Sequence, residues 1–327
     1  MNKSIKIILS FAGIIALVLS FITPNTAAAL TISPAKLELS GDPGATISGE
    51  FLLINEQVEA KTFYSSAENF EAQGETGTPS FTEGTDGLAS WVKVAPEITL
   101  QKGEQKKVPF TITIPKDADA GGHFAAIFLS TEPAKKGDGQ VAVGAKVGVL
   151  VLLRVSGDIK EGGGIIGFST KNDQTFYTSL PVHLTYRFNN SGNDRVNPTG
   201  EINIKDTLWL SADTISANPG QGNVLPGSTR RFDIAWGDEQ AVKSVQGGLG
   251  FFGSVAYEWK NFALGMYTAK LHVQYGSNGV ADASKIFFVI PWQLLIVILV
   301  VLAIIYFILS ISLKRYNRWI INKARSM

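Results

Sequence analysis

Few residues in this chain could carry chemistry. It has three histidines, His123, His183 and His272, and no cysteine. His183 and His272 fall at polar positions of alternating runs, and His123 follows Gly121-Gly122. None has the neighbours expected of a general base or a metal ligand. No Gly-x-Ser-x-Gly elbow, phosphate loop or His-Glu-x-x-His pair occurs. Asp117 and Asp119, next to Lys116, read as a strand-end turn and not as a calcium loop. The 28 Asp and Glu residues allow many carboxylate pairs, which leaves a glycan hydrolase open as a minor alternative. The expectation is a non-enzymatic chain with no catalytic, metal or cofactor site.

Aromatic residues are the stronger signal. Tyr64, Phe70, Phe81 and Trp91 stand around a polar, Gly/Thr-rich stretch, residues 71–90, which reads as a long loop. Aromatic faces near Asn, Gln and Glu suit sugar rings, so these four are the candidate ligand-binding residues. Trp91 has a second reading, because it opens the alternating run "WVKV" and can plug a core.

The elements that would position these rings are strands. In "KKVPFTITIP", Val108, Phe110, Ile112 and Ile114 alternate with polar residues or proline, and "YTAKLHVQYG" and "RRFDIAW" show the same period of two. No stretch of the body shows a convincing helical period. Short alternating runs between Gly, Pro, Asn and Asp turns predict an all-β body of two tandem immunoglobulin-like sandwiches. Two sandwiches are expected because one phrase occurs twice. A strand ends at Asn55 and again at Asn189-Asn190, and a turn at Gly103 or Gly227 leads into an alternating strand. Each half then closes on Gly-His-Phe (from Gly122) or Gly-Met-Tyr (from Gly265). The predicted domains are residues 30–158 and 159–287, with "SGDIKEGGGIIG" as the linker. "TEPAKKGDGQ", residues 131–140, reads as a second long loop.

The ends predict where the body lives. Residues 1–29 carry Lys3 and Lys6, an apolar run and Ala27-Ala28-Ala29, the pattern of a cleaved secretory signal. Leu294 to Leu313 is twenty residues without a charge, about 30 Å as a helix and thus bilayer-thick, in a span predicted over 288–313. The tail, residues 314–327, holds Lys314, Arg315, Arg318, Lys323 and Arg325 and no acid, which places it in the cytoplasm. The expected layout is a single-pass type I protein of the cell membrane with an extracellular body. Of 29 Lys and Arg, two lie in the first segment and five in the tail, so 22 face 28 acids in the body. An acidic body has no footprint for nucleic acid. A secreted body without cysteine depends on its core alone, as is ordinary for bacterial surface proteins.

Three stretches carry a family resemblance: "SPAKLELSGDPGATISGEFLLIN", "WVKVAPEITLQKGEQKKVPFTITIPKDADAGGHFAAIFLS" and "VGAKVGVLVLLRVSGDI". They resemble the first domain of the WxL-interacting proteins of bacterial cell surfaces, over roughly residues 30–158. The resemblance implies a signal, two sandwiches, a membrane helix and a basic tail, with a first domain that binds peptidoglycan. The second half matches that family in architecture only, so the host-protein binding of its second domain is not carried over. The expected function is a membrane-anchored surface adaptor for peptidoglycan or another wall glycan, or for a surface protein. The alternative is a chaperone-like envelope factor that pairs an edge strand with a client protein.

Overall fold

The structure is a computed structural model that describes residues 30–83, 86–133, 146–238 and 250–325. The expected signal, residues 1–29, lies outside the described residues, as does most of the 131–140 stretch. Strands are numbered β1 to β18 in chain order. In the first sandwich one sheet runs β1 (Leu30–Ser33), β3 (Thr46–Asn55), β8 (Gln105–Thr113), β6 (Val92–Val94). The facing sheet runs β2 (Lys36–Gly41), β10 (Lys146–Val155), β9 (Gly121–Ser130), β4 (Lys61–Gln73), with β5 (Thr78–Glu83) and β7 (Glu97–Leu100) both paired to β4. The second sandwich faces a sheet of β11 (Gly163–Thr170), β13 (Val182–Asn190) and β16 (Thr229–Trp236) against a larger one. That larger sheet runs β12 (Phe176–Tyr177), β18 (Gly279–Val289), β17 (Gly265–Tyr275), β14 (Thr199–Lys205), β15 (Ser211–Ser216). The body is two immunoglobulin-like sandwiches, each with its own core.

Alternation decides what each core contains. Val108, Phe110 and Ile112 of β8 point inward against Val149, Val151 and Leu153 of β10, and Leu184, Tyr186 and Phe188 of β13 fill the second core. Helices are fewer: α1 (Gly87–Trp91), α2 (Phe251–Lys260) and α3 (Trp292–Arg325). Residues 292–322 of α3 are long and apolar enough to cross a membrane.

Three expectations change. Residues 71–90 are not a loop: β4 continues to Gln73, β5 hairpins back, and α1 follows. β5 is an edge strand exposed almost throughout, so it shows no apolar alternation, and α1 is too short to show a period. The linker is shorter than expected, because β11 already begins at Gly163. The body also contains the ten-residue helix α2, whose pattern is taken up below.

The repeated phrase has a repeated geometry. Asn55 and Asn190 are both fully buried at the ends of β3 and β13. Each carboxamide oxygen accepts an N–H two residues on, Gln57 at 3.1 Å and Gly192 at 2.9 Å. Each Nδ2 donates to the carbonyl three residues before the turn glycine, Leu100 at 3.3 Å and Val224 at 2.9 Å. Each backbone N–H donates to the residue after that glycine, Glu104 at 3.0 Å and Ser228 at 2.9 Å. Gly103 and Gly227 supply the left-handed backbone these turns need, at φ 71° and 66°.

The turn after Asn190 joins the two sandwiches. Asn193 accepts from Lys160 N (2.8 Å) through its side chain and donates to Ala120 O (3.0 Å) and Asp158 O (2.9 Å). Its carbonyl accepts from Gly122 N at 2.8 Å. Asp194, nearly buried, faces Arg154 at 3.3 Å. Glu38 on β2 accepts from Lys36 (2.6 Å), from Asn223 of the second sandwich (3.0 Å), and faces Arg195 at 3.5 Å. The Lys36 ammonium first, with Asn223 and Arg195, holds the Glu38 carboxyl down to about 2 against the cost of burial. The Glu75 carboxylate on the β4–β5 turn is forked by Arg187, and the Glu75 carbonyl accepts Arg231 N at 2.7 Å. That last bond covers part of the free edge of β16.

Two outcomes are expected. An added Cβ at Gly103 or Gly227 meets nothing within 4 Å, so Gly→Val there tests backbone strain alone and should cost about 1–2 kcal/mol. Hydrogen exchange of the full chain in detergent should show the loss within residues 30–155 for Gly103→Val and within 163–289 for Gly227→Val. Equal loss in both would mean that the sandwiches unfold as one unit. A depressed carboxyl pKa stabilises above its unfolded value, and that stability is lost as pH falls through the folded one. Glu38 therefore holds the joint from neutral pH down to about 4.5 and releases it between about 4.5 and 2. The group is largely exposed, so solvent screening reduces its worth to about 1 kcal/mol. Glu38→Gln should expose the 158–160 and 193 amides at pH 7 and flatten their pH dependence below 4.5. Unchanged exchange would remove Glu38 from the joint.

Candidate functional site

Candidate residues lie on the outward face of the larger first-sandwich sheet. Ala125, Ile127 and Leu129 of β9 and Val149, Val151 and Leu153 of β10 point into the core, so Phe124, Ala126, Phe128, Leu150 and Leu152 point out. On β4 the outward set includes Tyr64 and Phe70, because Phe63 is in the core, and Phe81 pairs with Phe70 across the hairpin. Outward positions of an antiparallel sheet are ordinarily polar. Here Phe70 (6% exposed), Ala126, Phe128 and Leu152 are buried yet belong to neither core. Four rings make a connected strip, with centroids 5.8 Å apart for Phe70–Phe124, 5.9 Å for Phe70–Phe81 and 4.9 Å for Phe81–Phe128. Lys146 lies over Phe128 at 3.8 Å from its centroid.

One end of the strip runs into a cleft between the sandwiches of about 300 Å³. Phe70, Leu150, Leu152 and Lys36 line it from the first sandwich, and Val224 and Arg230 from the second. Arg230 is the notable member. On β16 it shares parity with Phe232, Ile234 and Trp236, which are buried. Its guanidinium lies over the Phe232 ring at 5.4 Å, and Nη1 donates to Asn223 O at 2.8 Å. A Cβ on Gly77 or Gly222 would come within 2.4 or 2.6 Å of the guanidinium carbon, so a side chain at either position would displace the guanidinium from its present place. Its Nε is buried without a partner, and burial lowers its pKa. Among the described residues no carboxylate pairs with it. The hydroxyl of Tyr186, whose ring stacks on Phe232 at 4.7 Å, is also buried without a partner, and burial raises its pKa. The arrangement pairs an apolar wall with a half-buried cation. It can take an extended segment that offers apolar groups to one side and a carboxylate to the other.

The four sequence-predicted residues do not form one platform. Phe70 and Phe81 touch, Phe70 in the cleft wall and Phe81 (37% exposed) at the strip's outer edge. Tyr64 shares their face but lies six residues along β4, about 20 Å away. Trp91 is on the other side, packed against the first core at the end of α1, its ring 4.7 Å from His123. Sequence reasoning missed Arg230, although the signal was present in "RRFDIAW": a charge at an inward position of an alternating strand. His272 Nδ1 donates to Asp282 Oδ1 at 2.7 Å on the exposed side of β17, away from the cleft.

No family model matches this chain, and no curated protein matches it. Among solved structures it is similar to the class 5 fimbriae chaperone CfaA, at 12% identity and a TM-score of 0.38, covering 79% of this chain and 99% of that one. It is also similar to the E. coli chaperone DraB, at 11% identity and TM-score 0.34 over 80% and 97%. A third is the Pseudomonas aeruginosa CupB2 chaperone, at 9% identity and TM-score 0.32 over 78% and 99%. Likenesses this distant say nothing about a site.

Proposed function

We propose that this chain is a non-enzymatic adaptor of a bacterial cell surface, anchored by α3, that holds a carboxylate-bearing peptide partner in the cleft between its sandwiches. The observation that carries this reading is Arg230, a half-buried cation that no carboxylate among the described residues pairs with, beside the apolar wall of Phe70, Leu150 and Leu152. Leaving a buried donor unsatisfied costs about 1–3 kcal/mol, which a ligand oxygen would recover. Peptide stems of peptidoglycan and an acidic segment of a surface protein share that chemistry. The resemblance of residues 30–158 to the WxL-interacting proteins supports the wall as the source. In this layout residues 1–29 are a signal, 30–158 and 159–287 the external domains, 288–313 the span and 314–327 the cytoplasmic tail.

The topology has a direct test. Protease added to intact spheroplasts should remove the body and spare an epitope at Met327, because the five tail cations stay inside. A protected body would overturn the reading.

Binding is tested with the full chain in nanodiscs, against purified peptidoglycan in one arm and detergent-solubilised surface protein in the other. Arg230→Gln and Phe70→Ala should each weaken retention about tenfold in the arm that holds the partner, the loss expected for one charge-assisted bond or one buried ring. Circular dichroism confirms the fold of each variant. Unchanged binding in both variants would sink the cleft. Binding then lost on placing a proline along the free edge of β5 would identify strand pairing with a client instead.

A further inference from the structure

The strongest unexplained feature is α2. A surface helix ordinarily turns its polar face outward, and α2 does the reverse. Phe252 (79% exposed), Ala256 and Trp259 (69% exposed), at i, i+4 and i+7, face out. The inward face carries Glu258 (2% exposed) and Tyr257, whose hydroxyl donates to Leu180 O at 3.2 Å.

Glu258 places this face. Its Oε2 accepts the backbone N–H of Leu294 at 2.7 Å, in the first turn of α3. The first N–H groups of a helix have no partner within it and favour a negative charge, and α3 has no acid in its own first turn. Glu258 supplies that cap from another helix and fixes α2 beside the point where α3 leaves the body.

A second element arrives at the same end. β14 pairs with β17 through Lys205↔Thr268, and Gly265 pairs with Val289 just before α3. The β14–β15 tip therefore lies at the α3 end of the sandwich. It presents Leu208, Trp209 and Leu210, all more than half exposed. The tip is built and not loose: Asp206 Oδ1 accepts from Leu208 N (2.9 Å) and Leu210 N (3.0 Å). Trp209 is held at φ 61°, a conformation a bulky residue adopts at a cost. Holding three large apolar side chains in water on a strained turn gains nothing for the fold.

We infer that α2 and the 208–210 tip form a membrane-contacting foot, with Phe252, Trp259 and the Leu-Trp-Leu tip seated in the outer-leaflet interface around α3. The occupant is lipid because the surface is continuous with the start of the bilayer-thick helix. Its residue types, Trp and Phe with Lys260 and Lys270 at the margin, are also those that settle at headgroup depth. Lys270 lies 5.1 Å over the Trp209 ring. The inference rests on α3 spanning the membrane.

The chain has no cysteine, so single nitroxide labels can be attached at Phe252→Cys, Leu208→Cys, Leu299→Cys in α3 and Lys102→Cys on a first-sandwich turn. The full-length protein is reconstituted in phosphatidylcholine/phosphatidylglycerol vesicles, and accessibility to oxygen is compared with that to a water-soluble nickel chelate. The labels at 252 and 208 should have an oxygen-to-nickel ratio several-fold above that at 102 and below that at 299. A ratio at 252 and 208 equal to that at 102, with 299 in lipid, would overturn the foot and leave the span standing. A label at 299 in water would overturn the span and the foot together. Labels at 252 and 208 shielded from both agents would mean that protein covers the surface, which also overturns the lipid assignment.

Discussion

The carboxamide of Asn190 is the constraint on which the arrangement of this molecule depends. It is fully buried, so each of its hydrogen-bonding positions must be filled by protein. Filling them draws Asp194 O, Val224 O and Gly192 N to one point and sets the path of the chain between 190 and 194. That short path presents Asn193 to Ala120, Asp158 and Lys160, and Asp194 to Arg154, which together fix the second sandwich against the first. The cleft is the space left by this fixed approach. Asn55 makes the matching bonds in the first half, but no joint follows its turn, so the same local device supports a fold in one place and an assembly of folds in the other.

Much of the architecture was legible because it rests on period two and on turn chemistry. Val108, Phe110 and Ile112 alternate with outward residues, and the structure places them inward. Asn55, Gly103, Asn190 and Gly227 are each the residue type their backbone or buried site requires. What escaped had a physical reason to escape. β5 is an exposed edge and needs no apolar face. Phe70 and Phe81 could be named as unusual aromatics, but Tyr64 and Trp91 had no mark to show that one sits far along the strand and the other behind the sheet. Phe70 and Arg230, 160 residues apart, line one cleft only because of the joint, which no local pattern encodes.

The two places of most functional interest share one property. Arg230 is a charge where the strand calls for an apolar residue, and α2 exposes apolar residues where a helix calls for charge. Local choices that contradict the surrounding pattern are costly, and they persist where something outside the domain offsets the cost. In the readings proposed above, an anion offsets that cost at Arg230 and lipid offsets it at α2.

The bond from Leu294 to Glu258 has a consequence for hydrophobic mismatch. A free membrane helix adjusts to a thinner or thicker bilayer by sliding and tilting. Here the first turn is tied to a folded domain, so sliding would break a buried hydrogen bond and leave both its groups unpaired. Its 34 residues reach about 51 Å, well beyond a bilayer core of about 30 Å. Adjustment to thickness must then occur at the opposite end, where Lys314, Arg315 and Arg318 can bury their methylene stems and keep their charges in water. In the proposed topology, the register of the span is set by protein at the body end and by lipid at the tail end.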